Sequence, residues 1–156
     1  MGHGLTFRRA VAADFAVVLE LANQLAAQIE ARAPQLTPAH FQTAYIGPDA
    51  PMHLLLAIKD GRVAGLISWT LTHELYSGEA RVYISDLSID RAARGQGIGS
   101  ALMDEVKAWA HTHGAAKLGW EVWHRNFAAR AFYTRLGASV DEEAIPFVLA
   151  IGKEAP

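Results

Sequence analysis

The sequence predicts a single α/β domain built on a mixed, mostly antiparallel sheet flanked by helices, and three observations carry that prediction. Stretches with apolar residues at helical spacing alternate with β-rich runs in the order β, α, α, β, β, β, α, β, α, β. Asp60-Gly61, a strong hairpin dipeptide, separates two of the runs, and a third run after them completes an antiparallel meander. No internal repeat and no Gly-, Ser- or Pro-rich linker divides the 156 residues, so 1–156 is read as one domain.

Each element follows from its residues. Leu5 to Arg9 alternates as a short strand. Ala13 to Arg32 carries Phe15, Val18, Leu19, Ala22, Leu25 and Ile29 on one helical face. Asp14 suits the first turn of that helix although a hydroxyl cap is missing, and Pro34 ends it. Thr37-Pro38 supplies a cap and first-turn proline for a short helix to about Tyr45, closed by Gly47-Pro48. His53 to Ile58 and Val63 to Thr72 flank the hairpin turn, and the loop from Glu74 to Glu79 leads into a strand over Arg81 to Ile89. Ile98, Leu102, Val106, Trp109 and Ala110 then form a helical face that stops at His113-Gly114. Lys117 to Trp123 reads as strand, Phe127 to Leu136 as helix ending at Gly137, and Ile145 to Ile151 as a last strand.

Composition narrows the chemistry. With 51% hydrophobic and 19% charged residues the chain is globular rather than disordered. The absence of cysteine removes disulfides, thiolate metal sites and a cysteine nucleophile. A formal charge of -2 gives no global basic field, so neither nucleic acid nor an anionic membrane is an expected partner. No stretch approaches the roughly 18 apolar residues of a spanning helix, and Met1 to Gly4 lacks signal-peptide features, so a cytoplasmic protein is expected. His111 and His113 stand two apart on a helix and point to different faces, so no metal is expected.

The most informative segment is Asp90 to Ser100, between a predicted strand and a predicted helix. Gly95, Gly97 and Gly99 let the backbone turn tightly and expose N–H groups, the helix adds its positive end, and Arg94 adds a full charge; together they make an anion site. Two standard phosphate motifs fail. A G-x-G-x-x-G match from Gly95 would need glycine at Ser100, and no Gly-Lys-Ser or Gly-Lys-Thr occurs in the chain.

Arg94-Gly95-Gln96-Gly97-Ile98-Gly99 resembles the acetyl-CoA signature of the GCN5-related N-acetyltransferase family: Arg or Gln, two residues, Gly, one residue, Gly or Ala. Asn126 to Gly137 is similar to the later Asn, Ala, Phe-Tyr, Leu-Gly pattern of that family, and the element order agrees from Leu5 to Ile151. The resemblance implies that the backbone of Leu87, Ser88 and Ile89 pairs with the pantetheine arm of acetyl-CoA. It implies that the amides of Arg94, Gly95, Gln96, Gly97, Ile98, Gly99 and Ser100 hold the pyrophosphate, and that Asn126 and Ala129 line the arm. Tyr133 would lie near the thioester sulfur as the acid that protonates the leaving thiolate, while a backbone N–H of the same strand stabilises the oxyanion. Asn126, Ala129 or Arg130, and Tyr133 recur at helical spacing and share a face. From its helix position alone, Tyr133 also suits plain packing beside Phe132.

An acceptor amine near pKa 10.4 must lose a proton, and Asp86, Glu121, His124 or a water chain can take it. Tyr83 to Ile89 resembles the diamine and polyamine branch of the family, where an acidic pair occupies the positions of Ser85 and Asp86; only Asp86 is acidic here. A strand carboxylate such as Asp86 can equally fix a neighbouring loop. His73, Glu74, Tyr76 and Glu79 either line an acceptor pocket or form a solvated turn. The expected function is direct transfer of an acetyl group to a primary amine of a small molecule, a diamine, polyamine or amino-acid derivative, by a protein that dimerises. The alternatives are acetylation of peptide or protein amines, and an acyl-CoA sensor without turnover.

Overall fold

The structure, a computed structural model, describes residues 4–152. Contacts group them into a unit that ends at Asn126 and a second that begins at Phe127. The first unit holds β1 (Thr6–Arg9), α1 (Phe15–Gln28), α2 (Pro38–Tyr45), β2 (His53–Lys59), β3 (Arg62–His73), β4 (Ala80–Ile89), α3 (Ile98–Thr112) and β5 (Ala115–Gly119). The second holds α4 (Phe127–Arg135). The five strands lie in sequence order; β1 to β4 pair antiparallel and β5 joins β4 in parallel.

Side chains alternate across the sheet, so its two faces carry different cores. Leu54, Leu56 and Leu66 pack on one face against Val18 and Leu21 of α1 and Phe41 of α2. Ile67, Trp69, Val82 and Ile84 are buried on the other, where Trp69 meets Trp109 of α3 at 5.5 Å. The apolar stripe of α3, Ile98, Leu102, Met103, Val106 and Ala110, is buried throughout.

Three expectations are corrected. The first helix stops at Gln28 rather than Arg32, because Glu30 takes a left-handed conformation (φ +55°) and the chain closes in a Schellman motif, Ala31 N–H donating to Ala26 O and Glu30 N–H to Ala27 O. The fifth strand runs over 115–119 rather than 117–123, since Gly114 at φ +71° turns the chain directly out of α3. The expected last strand, Ile145 to Ile151, is not formed. A strand exists only as a partner in a ladder. Pro146 removes one donor from this run, and the second unit contains no other strand among the described residues. Phe147, Val148, Leu149 and Ile151 are 87–97% exposed.

The missing hydroxyl cap of the first helix is also explained. Asp14 closes a 3₁₀ turn over 12–14: its carboxylate accepts from Val11 N–H at 2.8 Å and from the Arg8 guanidinium at 2.7 and 2.8 Å. Those bonds hold its acid well below the usual carboxylate range.

Candidate active site

The loop after β4 is shaped by local geometry. Asp90 N–H donates to Ala64 O at 2.9 Å, anchoring the strand end, and the Asp90 side chain accepts from Ala92 N–H to start a 3₁₀ turn over 91–93. Arg91 N–H donates to Gln24 Oε1 at 2.9 Å, which ties the turn to α1. Gly95 (φ +75°) and Gly97 (φ +79°) then adopt left-handed conformations. A Cβ at either would meet nothing within 4 Å, so the need for glycine there is conformational rather than steric. Gly97 caps α3 with no side-chain hydrogen bond, leaving the first-turn amides of α3 to serve an anion.

Two cations attend this loop. Arg94 is exposed, and its Nε donates to Ile89 O at 3.1 Å, which fixes the guanidinium at the end of β4. Lys59, at the end of β2, reaches Gln96 Oε1 with its Nζ. Sequence reasoning missed Lys59; its one signal was its place before the Asp60-Gly61 turn, on the strand end that approaches the loop.

β4 itself is paired unequally. On one side it follows β3 through Ile89, whereas β5 accompanies it only from Ala80 to Tyr83. Among the described residues, the stretch holding Leu87, Ser88 and Ile89 is therefore laddered on the β3 side alone. An unladdered backbone edge ending in an amide-rich turn fits an extended amide chain that carries a pyrophosphate. The Ser88 side chain has a separate task, donating to Leu21 O at 2.8 Å in the core.

Ser85 is the irregular residue of β4. The register passes from Ser68↔Asp86 to Trp69↔Ile84, so Ser85 has no opposite number and Asp86 points to the face covered by α1 and α2. There Ser68 Oγ donates to Asp86 Oδ2 at 2.7 Å. Burial raises the pKa of the Tyr45 phenol, and the charge of Asp86 raises it further. Tyr83 is raised by burial first and then by Glu121 and Asp86. A cavity of about 280 Å³ lies over Asp86 between the sheet, α1, α2 and the link between the helices.

The remaining candidates lie elsewhere. Glu121 and His124 follow β5 and are exposed, His124 with its ring 6.0 Å from Trp123. Glu74 pairs with Arg81 at 3.5 Å and accepts from Ser77, so the Glu74 to Glu79 loop is knit within itself. Asn126 closes the first unit, its N–H donating to Trp123 O at 2.8 Å; it precedes α4 rather than sharing its face. In the second unit Ala129 and Tyr133 stand one turn apart on α4. Tyr133 is partly buried beside Phe132 (5.1 Å), and burial raises its phenol pKa. Among the described residues no three His, Asp or Glu side chains gather to hold a metal ion, and no helix is long and apolar enough to cross a membrane.

The sequence pattern of the Acetyltransferase (GNAT) family matches residues 18–138. No curated protein matches. Among solved structures, a transcriptional regulator from Bacillus halodurans C-125 is 25% identical, with 94% of this chain and 100% of that one covered and a TM-score of 0.78. The aminoglycoside acetyltransferase meta-AAC0020 from an uncultured soil metagenomic sample, solved with sisomicin, is 18% identical over 95% and 97% of the two chains, with a TM-score of 0.77. An acetyltransferase from Trypanosoma brucei is 22% identical over 94% and 100%, with a TM-score of 0.70.

Proposed function

The chain belongs to the acetyltransferase (GNAT) family, and from that premise we propose that it transfers an acetyl group from acetyl-CoA directly to a primary amine of a small molecule. The observation that carries the reading is the uncapped N-terminus of α3 behind Gly95 and Gly97, next to a β4 edge that β5 leaves after Tyr83. Arg94 to Ser100 would hold the pyrophosphate, Leu87 to Ile89 would pair with the pantetheine amides, and Asn126 and Ala129 would line the arm. When bound, acetyl-CoA supplies an acetyl group activated as a thioester.

The residues divide the proton work. Asp86 accepts a proton from the acceptor ammonium, and Ser68 orients that carboxylate. Tyr133, kept neutral by its raised pKa, donates to the sulfur as the C–S bond breaks and the N–C bond forms. The nitrogen gives up two protons in all; one goes to Asp86 and one restores Tyr133. The amide N–H of the β4 edge faces the developing oxyanion. Small-molecule amines are the first acceptor class to test, with peptide and protein amines after them.

We further propose a cytoplasmic homodimer of one transferase domain that works without metal. The exposed apolar run Phe147 to Ile151 supports the dimer. A second reading, a CoA-binding regulatory module, is favoured by serine at position 85 and by the description of the Bacillus halodurans relative as a transcriptional regulator. Calorimetric titration with acetyl-CoA, followed by CoA-release assays over an amine panel, separates them. Binding with amine-dependent release is expected; binding without release for any amine supports the regulatory reading, and no binding rejects both.

A further inference from the structure

The cavity over Asp86 carries information about the acceptor. Among the described residues that line it, Asp86 is the one carboxylate, and none is Lys or Arg. The hydroxyls of Ser68 and Ser88 on its floor are already donated, to Asp86 Oδ2 and Leu21 O. Asp86 Oδ1 is thus the strongest acceptor for a cationic guest. The walls supplied by α1 and the link after it are aliphatic, with Ala22, Leu25 and Leu36 prominent. A second ammonium among them would lose its water without gaining a counter-charge, which is strongly unfavourable. The space, about 280 Å³, lies near the lower end of the roughly 300–1,000 Å³ typical of small-molecule sites. It favours a compact guest at the carboxylate.

Building on the acetyltransferase reading, we infer that the acceptor is a monocationic amine with a compact apolar body, an arylalkylamine or short alkylamine. Its nitrogen sits at Asp86 and its body lies along Ala22 and Leu25. Diamines and aminoglycosides, which carry further ammonium groups, are poor acceptors in this chain. Tyr45 and His40 at the α2 side provide the polar rim.

The test compares 2-phenylethylamine, 1,6-diaminohexane and kanamycin as acceptors at saturating acetyl-CoA, alongside calorimetric binding of 2-phenylethylamine to the full chain. The expected result is a kcat/KM for 2-phenylethylamine about tenfold or more above either competitor. Asp86→Asn should weaken its binding about tenfold or more. Ala22→Phe, which fills the cavity and does not touch the carboxylate, should lower kcat/KM for 2-phenylethylamine more than for ethylamine. CoA release with the diamine or kanamycin preferred overturns the inference and leaves the acetyltransferase reading standing. Binding of 2-phenylethylamine that both variants weaken, with no release for any amine, supports the inference and overturns turnover. Absence of both binding and acetylation of 2-phenylethylamine overturns the inference.

Discussion

Ser68 donates its hydroxyl to Asp86 across the β3–β4 ladder at 2.7 Å, at the step where the register shifts and Ser85 is left without an opposite residue. The shift turns Asp86 toward the helices, so its carboxylate is both oriented and accessible from the cavity. Asp86→Asn keeps the shape and removes the proposed base, and kcat should fall about 10²- to 10⁴-fold. Ser68→Ala leaves the base but frees its rotamer, and a smaller loss is expected. A rate for Asp86→Asn equal to that of the parent would leave proton transfer to Glu121, His124 or water.

Tyr133 has a phenol that burial holds above its ordinary value of 10.0. Tyr133→Phe should lower kcat about 10²-fold or more while acetyl-CoA binding, measured by calorimetry, is retained. The parent should show no loss of rate from this group until the pH passes above about 10. Unchanged turnover in the variant would reduce Tyr133 to the packing role beside Phe132.

Gly97 needs φ +79° but has open space around its missing Cβ. Gly97→Ala should therefore cost stability by about 1–2 kcal/mol through backbone strain, with no clash. Gly97→Glu adds a negative charge at the end of α3 and should weaken acetyl-CoA binding by a factor that shrinks as salt is added. Equal affinities for parent and Gly97→Glu would remove the pyrophosphate from this loop.

Much of the fold was readable because local signals agreed with tertiary needs. Thr37 accepts from His40 N–H as a capping hydroxyl should, and the Asp60-Gly61 turn sets β2 against β3 as its sequence requires. The glycine loop stood where strand gave way to helix. What escaped reading depended on the rest of the molecule. The end of α1 uses Glu30 where glycine would have signalled a stop, so only the tertiary structure reveals it. The run Ile145 to Ile151 has strand composition but no ladder in its own unit. Lys59 beside Gln96, and the cavity over Asp86, join residues far apart in sequence, a relation that periodicity does not encode.

The Arg8–Asp14 pair is partly screened, since Arg8 is 45% and Asp14 10% exposed. Asp14→Asn removes the charge-assisted fork to Arg8 and leaves one amide oxygen to accept from Val11 N–H, and about 1–2 kcal/mol of stability should go with it. Asp14 titrates below its ordinary 3.8 in the fold, so its contribution is present above that pH and is lost as pH falls through the depressed value. Denaturant melts of parent and variant should converge toward pH 2; a constant gap would assign the effect to packing.

His53 is packed between Trp69 (5.3 Å) and Trp109 (4.6 Å), and burial, then Arg9 and His113, lower its pKa below 6.5. The unfolded chain binds this proton first as pH falls. Stability is therefore full above about 6.5 and declines on acidification through the folded value. His53→Phe should flatten the decline between pH 7 and 5 in urea titrations, and an unchanged slope would place it on other groups.

The early departure of β5 from β4 separates two kinds of recognition on one strand. The edge of β4 offers only main-chain atoms, which every residue possesses, whereas its face offers Asp86 and its neighbours. Substitutions on the face can thus reshape the cavity over Asp86 without altering the main-chain groups of the edge. The two surfaces are free to change independently of one another.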